Sequence, residues 1–288
     1  MPAAVPLRPR STLLTTLALW LLFYCSFTLF RPALLDDADS VHVEVAREML
    51  LRHDPVTLYA NGIRYLEKAP LLYWRMALCM RLAGLFGVHR PELLAAAARV
   101  PLALSVLGLA LLAEALARRI FCSARAGLYA SLVLLSSFGI FIFTRITIPD
   151  ALVCLWITAS LYAFWRTEEI LFRPGHASSP LHSSKPGTPA AHLIRRFCWL
   201  FAATSALNVL TKGLIGIVFP VGIILVYLPL TRGLRRSLLH LRRLHLGSSL
   251  LVFLAIAAPW HIAAGLANPT QGHPAPFLFL RDTSAVLP

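Results

Sequence analysis

Long apolar runs separated by short, arginine-bearing links are the dominant pattern of this chain. Runs at 12–30, 93–116, 125–143, 148–165, 197–211, 213–230 and 247–266 have the composition of membrane-crossing helices, the shorter ones suiting tilted helices or helices with snorkelling flanks. About seven spans follow, and the predicted fold is all-α, a polytopic transmembrane helical protein. The interval 31–92 breaks the pattern. Within it Val41, Val45 and Met49 recur every four residues, while Glu44, Arg47, Glu48 and Arg52 take the other faces. That spacing predicts an amphipathic helix over 41–52 lying along the membrane interface, with Asp39 or Ser40 as its N-cap. Asn61-Gly62 predicts a turn, and Pro70 opens a second helix just after the turn that carries Glu67 and Lys68.

The links set a direction. Arg8 and Arg10, then Arg118, Arg119 and Arg125, then 166–196, then Arg232, Arg235, Arg236, Arg242 and Arg243 fall on one side. The short links of the other side carry only Arg145 and Lys212. The positive-inside rule then puts the N-terminus in the cytoplasm of a bacterial inner (plasma) membrane protein, with the loop 31–92, the link near 144–148, the Thr211-Lys212-Gly213 turn and the tail 267–288 outside. Residues 1–288 form a single membrane-embedded region: a first helix 12–30, an extracytoplasmic loop 31–92 and six further helices over 93–266. The first run reads as an anchor, since no small-x-small cleavage site follows it. Segment 172–192, rich in Pro, Ser, Gly and His, reads as a flexible cytoplasmic loop whose histidines are solvated.

Composition agrees: 58% of residues are hydrophobic and 14% charged, with a mean hydropathy of +0.70. The formal charge of +14 is spread among the links and makes no continuous basic face, which argues against nucleic acid as a partner. The five cysteines have no paired spacing and indicate neither a disulfide framework nor a thiolate metal site.

Candidate chemistry concentrates in the first outer loop. Asp36, Asp37 and Asp39 put three of the 13 acidic residues within four positions beside a membrane span. One cap needs one carboxylate, so capping does not account for all three. Clustered carboxylates raise one another's pKa values, a state relieved by a metal, a basic partner or a shared proton, and such a site suits general-base work. A solvated acidic loop is the plainer reading. Lys68 is a point-charge partner for a phosphate and Glu67 a candidate cation ligand, against the alternative of a surface ion pair. Asp150, at the outer end of the fourth span, is either functional or a complement to the helix dipole. Lys212 either guides a lipid phosphate or snorkels.

At these residues the chain resembles the polytopic GT-C glycosyltransferases that use polyprenyl-phosphate sugars, in the branch of aminoarabinose transferases and protein O-mannosyltransferases. The resemblance is carried by Asp36-Asp37-Ala38-Asp39, by Glu44-Val45-Ala46-Arg47-Glu48-Met49, and by the run 61–74 around Tyr65-Leu66-Glu67-Lys68. Ala98-Arg99-Val100-Pro101, the stretch 145–150, Leu210-Thr211-Lys212-Gly213 and Ala258-Pro259-Trp260 continue it, over about 12–277. It implies Asp37 as catalytic base with Asp36 and Asp39 as alternates, Tyr65 and Lys68 at the donor phosphate, Glu67 beside a divalent metal ion in some members, and Asp150 as a second acidic site. Arg64 or Lys212 is expected to assist Lys68. The implied donor is a polyprenyl-phosphate-linked sugar, the acceptor a lipid or a protein, and the transfer inverting. The Asp-Ala-Asp spelling departs from the family's Asp-Glu pair. The family's later Glu-His pair and further spans are not found before Pro288, so the sequence is expected to be an N-terminal part of such a protein. A transporter, with the same charges forming a substrate path, and an inactive fragment are the competing expectations; charges gathered at one face disfavour the transporter.

Overall fold

Backbone polar groups in hydrocarbon must be satisfied within their own segment, and the apolar runs accordingly all fold as helices. The computed structural model describes residues 9–26, 37–88, 90–171, 188–241, 244–270 and 273–274. Its helices are α1 (Pro9–Trp20, continued by a π-helical turn Leu21–Ser26), α2 (Asp37–Arg52), α3 (Leu71–Leu85), α4 (Pro91–Ile120), α5 (Ala124–Leu135) and α6 (Phe138–Phe143). They continue as α7 (Asp150–Leu171), α8 (Pro189–Lys212), α9 (Ile215–Arg232), α10 (Leu234–Leu241) and α11 (Leu246–Ala267). Two small antiparallel hairpins complete the fold, β1 (Tyr59–Ala60) with β2 (Ile63–Arg64) and β3 (Pro269–Thr270) with β4 (His273–Pro274).

Every apolar run contains helix among its described residues. Four stretches among the described residues are long and apolar enough to cross a membrane: Leu93–Ile120, Pro189–Lys212, Ile215–Arg232 and Leu246–Ala267. Ser11–Ser26 and Ala124–Leu135 are shorter apolar helices, and α7 carries Asp150, Arg166, Glu168 and Glu169, which dilute its hydropathy. The run 125–143 is not one helix: it breaks at Ser136 and Ser137, which cap α5 and α6. The loop expected over 172–192 ends sooner. Thr188 accepts a hydrogen bond from the Ala191 N–H and Pro189 takes the first helical position, so α8 already includes His192; residues 172–187 lie outside the described set.

The chain divides into two units, 1–155 with 264–288, and 156–263. In the first, Val45, Ala46 and Met49 of α2 share a core with Leu72, Tyr73 and Met76 of α3 and with Ala98, Leu102 and Val106 of α4. The helix α1 is tied in by polar bonds as well: Trp20 Nε1 donates to the Ala103 carbonyl at 2.7 Å, and Tyr24 to that of Leu135 at 2.9 Å. Buried Glu114 of α4 accepts from Thr12 and Thr16 at 2.8 and 3.0 Å. A methyl added to Gly127 of α5 would sit 2.8 Å from the Glu114 carbonyl oxygen, so only glycine permits this approach of α5 to α4.

In the second unit Ser160 of α7 meets Thr204 of α8 at 2.8 Å. Gly216 lets the start of α9 close on α8, where a Cβ would come within 2.5 Å of the Val209 nitrogen. Glu168 of α7 binds both Arg232 at the end of α9 and, at 2.6 Å, His240 of α10.

Candidate active site

The segment 37–88 is built as a helix, a hairpin and a second helix, each with a local reason. Asp54 Oδ1 accepts from the Val56 and Thr57 N–H groups at 2.8 and 3.1 Å, turning the chain after α2. Asn61 and Gly62 both have positive φ, 51° and 80°, as a two-residue turn between twisted strands requires. Glu48 of α2 then locks the hairpin down. One carboxylate oxygen accepts the Gly62 N–H at 2.6 Å and the other the Arg52 Nε at 2.5 Å, while the Arg52 guanidinium lies 4.2 Å from the Tyr59 ring centre. The Arg52 hydrogen bond, followed by that of Gly62, holds the Glu48 carboxyl below its ordinary range. Beyond the hairpin the Tyr65 N–H bonds the Leu58 carbonyl at 2.7 Å, and Glu67-Lys68 leads to Pro70 at the head of α3.

Asp39 occupies a different position from the expected cap. α2 begins at Asp37, so Asp39 lies in its first turn and its side chain turns inward. It is wholly buried, with Oδ1 accepting from both the N–H and the hydroxyl of Thr147 at 2.5 and 2.7 Å and Oδ2 standing 3.8 Å from a terminal nitrogen of equally buried Arg99. Three sequence motifs meet here: the acidic motif of α2, the Ala-Arg-Val-Pro of α4, and the stretch 145–150. Thr147 stands three residues before Asp150, the first residue of α7, where a carboxylate complements the helix dipole.

The remaining candidates fall as follows. Asp36 lies outside the described residues, and Asp37 is described only as the helix start. Tyr65 is half-buried and meets Tyr73 edge to face at 6.3 Å. Burial, with the charge of Glu67 behind it, raises the Tyr65 phenol, and burial raises that of Tyr73 much further, so both remain neutral hydroxyls. Lys68 and exposed Glu67 pair at 2.6 Å. Arg64 is exposed on β2 and has no ion pair among the described residues. Lys212 belongs to the second unit, as the last residue of α8 before Gly213 at φ 75°.

As a cation ligand Glu67 has its carboxylate engaged by an ammonium group, and no cluster of three or more His, Cys, Asp or Glu suited to a metal gathers among the described residues. The described side chains therefore do not compose a metal centre. Arg99 and Thr147 were not assigned roles from the sequence. Arg99 carries a signal, an arginine inside an apolar run, and both residues lie in stretches that carry the resemblance, 98–101 and 145–150, without a role of their own there.

The model of the family described as dolichyl-phosphate-mannose-protein mannosyltransferase matches residues 12–269. The chain is similar to the undecaprenyl phosphate-alpha-4-amino-4-deoxy-L-arabinose arabinosyl transferase of Aeromonas hydrophila, 29% identical across 89% of this chain and 41% of that protein. The Pseudomonas aeruginosa protein of the same name is 31% identical across 77% of this chain and 35% of its own length. The chain thus spans about two fifths of the length of the curated relatives it matches. Two crystal structures of ArnT from Cupriavidus metallidurans, one in the apo state and one bound to undecaprenyl phosphate, each superpose with a TM-score of 0.68 at 25% identity over 90% of this chain, covering 42% and 41% of theirs. With a family match running almost from end to end and a fold shared with ArnT, the chain belongs to the dolichyl-phosphate-mannose-protein mannosyltransferase family.

Proposed function

We propose that this protein takes part in transferring a sugar from a polyprenyl-phosphate donor to a lipid or protein acceptor, at the extracytoplasmic face of a bacterial inner membrane. The observation that carries the reading is the convergence of Asp39, Arg99 and Thr147, which draws the acidic motif, the arginine of α4 and the loop before Asp150 into one place. The related structure bound to undecaprenyl phosphate supports the donor class.

Transfer requires that the acceptor oxygen attack the anomeric carbon while the bond from that carbon to the phosphate oxygen breaks. Asp37, on the helix whose first turn Asp39 pins, takes the acceptor hydroxyl's proton. The phosphate oxygen leaves with the bonding electron pair, and its developing charge is met by Lys68, with the Tyr65 hydroxyl and Arg64 beside it in the chain. Attack opposite the leaving group inverts the anomeric centre. Asp39 is a positioning residue in this scheme: its carboxylate is buried, holds two hydrogen bonds from Thr147 and faces Arg99. No step runs through a metal.

Two substitutions separate binding from chemistry. Lys68→Ala is expected to weaken undecaprenyl-phosphate binding by the purified chain about ten- to a hundredfold, the worth of one charge-assisted contact. Asp37→Asn is expected to leave that binding intact while abolishing sugar transfer in membranes. Undiminished transfer by a protein carrying both replacements would overturn the scheme.

A further inference from the structure

The second unit contains a cavity of about 440 Å³ that the transfer reaction does not use, a size within the usual ~300–1,000 Å³ range of ligand pockets. Its wall is almost entirely apolar, formed by Phe164 of α7, Phe197 and Phe201 of α8, Ile224 of α9, Leu241 of α10 and Phe253 of α11. One end of that wall coincides with the arginine-rich end of the unit. Thr167 and Phe197 both line the cavity, and the guanidinium of Arg166 stacks 4.8 Å from the Phe197 ring centre. Arg196 of α8, next to Phe197 in the chain, and Arg235 and Arg236 of α10, six and five residues before the lining Leu241, are exposed and have no carboxylate partner among the described residues.

The short helix α10 joins the two features. Ser237 and His240 are buried and Leu241 reaches the cavity, while Arg235 and Arg236 face outward. Its seating is fixed by the 2.6 Å bond from His240 to Glu168, whose other oxygen binds Arg232. The helix that carries Arg235 and Arg236 is thereby held against the cavity, with Leu241 in its wall. Positive-inside topology explains the presence of arginines at this end, but it does not require an apolar cavity walled by the same helices or a buried Glu168–His240 bond that seats α10.

We propose that this cavity binds one acyl chain of an anionic phospholipid whose phosphate is held by Arg235 and Arg236, with Arg196 contributing. Guanidinium groups match phosphate geometry, and basic sites between membrane helices on the cytoplasmic side are suited to acidic headgroups. On the topology proposed above this end faces the cytoplasm. The site shares no residue with the sugar-transfer scheme.

Native mass spectrometry of the detergent-purified full chain, given phosphatidylglycerol or phosphatidylcholine with identical acyl chains, tests it. The unaltered chain is expected to retain one phosphatidylglycerol in clear preference to phosphatidylcholine. Arg235→Ala with Arg236→Ala is expected to lower that retention about thirtyfold, and Arg235→Lys with Arg236→Lys to preserve most of it. Ala202→Phe, which fills the cavity from α8, is expected to expel the lipid while leaving both arginines in place. Equal retention of the two lipids by the unaltered chain overturns the proposal, as does retention that survives Ala202→Phe in a protein of unchanged melting temperature, since attraction to charge alone needs no cavity. The lipid comparison and the arginine pair decide the matter by themselves if Ala202→Phe does not fold.

Discussion

Arg99 and Asp39 are both fully withdrawn from solvent, and each faces the other's charge at 3.8 Å. Removing one partner of a buried pair deprives the other of its counter-charge, which costs about 3–5 kcal/mol. Arg99→Leu is therefore expected to destabilise the protein by that amount in chemical unfolding in micelles. Thr147→Val, which removes one of two donors to the same carboxylate oxygen, costs about 1–3 kcal/mol, and Thr147→Ser should recover it. A double-mutant cycle of Arg99→Leu with Asp39→Leu should show strong coupling, the pair losing much less than the sum of the singles; strictly additive losses would mean that the two groups do not interact. The sequence made the acidic cluster conspicuous but not the division of labour within it. Capping is the local inference for Asp39, and it fails because the helix starts at Asp37, two residues before it, and a long-range partner, Thr147, 108 positions away, captures the carboxylate. No local pattern announces a bond of that separation.

At the level of elements, Glu48 and the hairpin it clamps decide where Tyr65, Glu67 and Lys68 are presented. The hairpin itself was legible from Asn61-Gly62 and the start of α3 from Pro70, since turn chemistry is local. The clamp was not, because Glu48 reads only as part of the polar face of an amphipathic helix. Its pKa direction gives a sign. A carboxyl held below its ordinary value contributes its stabilisation fully above that value, near 4.5, and loses it as the pH falls through the lower folded value. Amide hydrogen-exchange protection at 59–64 is expected to be constant at neutral pH and to drop in the acid range. Glu48→Gln should lower the protection at neutral pH and remove the acid dependence. If that variant retains the same acid transition, another group is responsible for it.

For the whole molecule, the apolar runs revealed the helices because a bilayer leaves backbone groups no alternative, whereas the break at Ser136 and Ser137 and the charged end of α7 show where composition alone overstates a span. Orientation rests on arginine asymmetry and can be read with the chain's own cysteines. Cys122 is exposed in the link between α4 and α5, on the side expected to face the cytoplasm, and His53 is exposed after α2 on the opposite side. A protein retaining Cys122 as its only cysteine should react with a membrane-impermeant maleimide only after the cells are permeabilised. With all five native cysteines replaced by serine, His53→Cys should react in intact cells. The two positions flank α4, whose 28 residues from Leu93 to Ile120 exceed the roughly 20 that a bilayer requires, so opposite outcomes for them are the signature of a true crossing. Reaction of Cys122 in intact cells together with protection of His53→Cys would invert the topology, and with it the side on which Lys68 must meet its lipid.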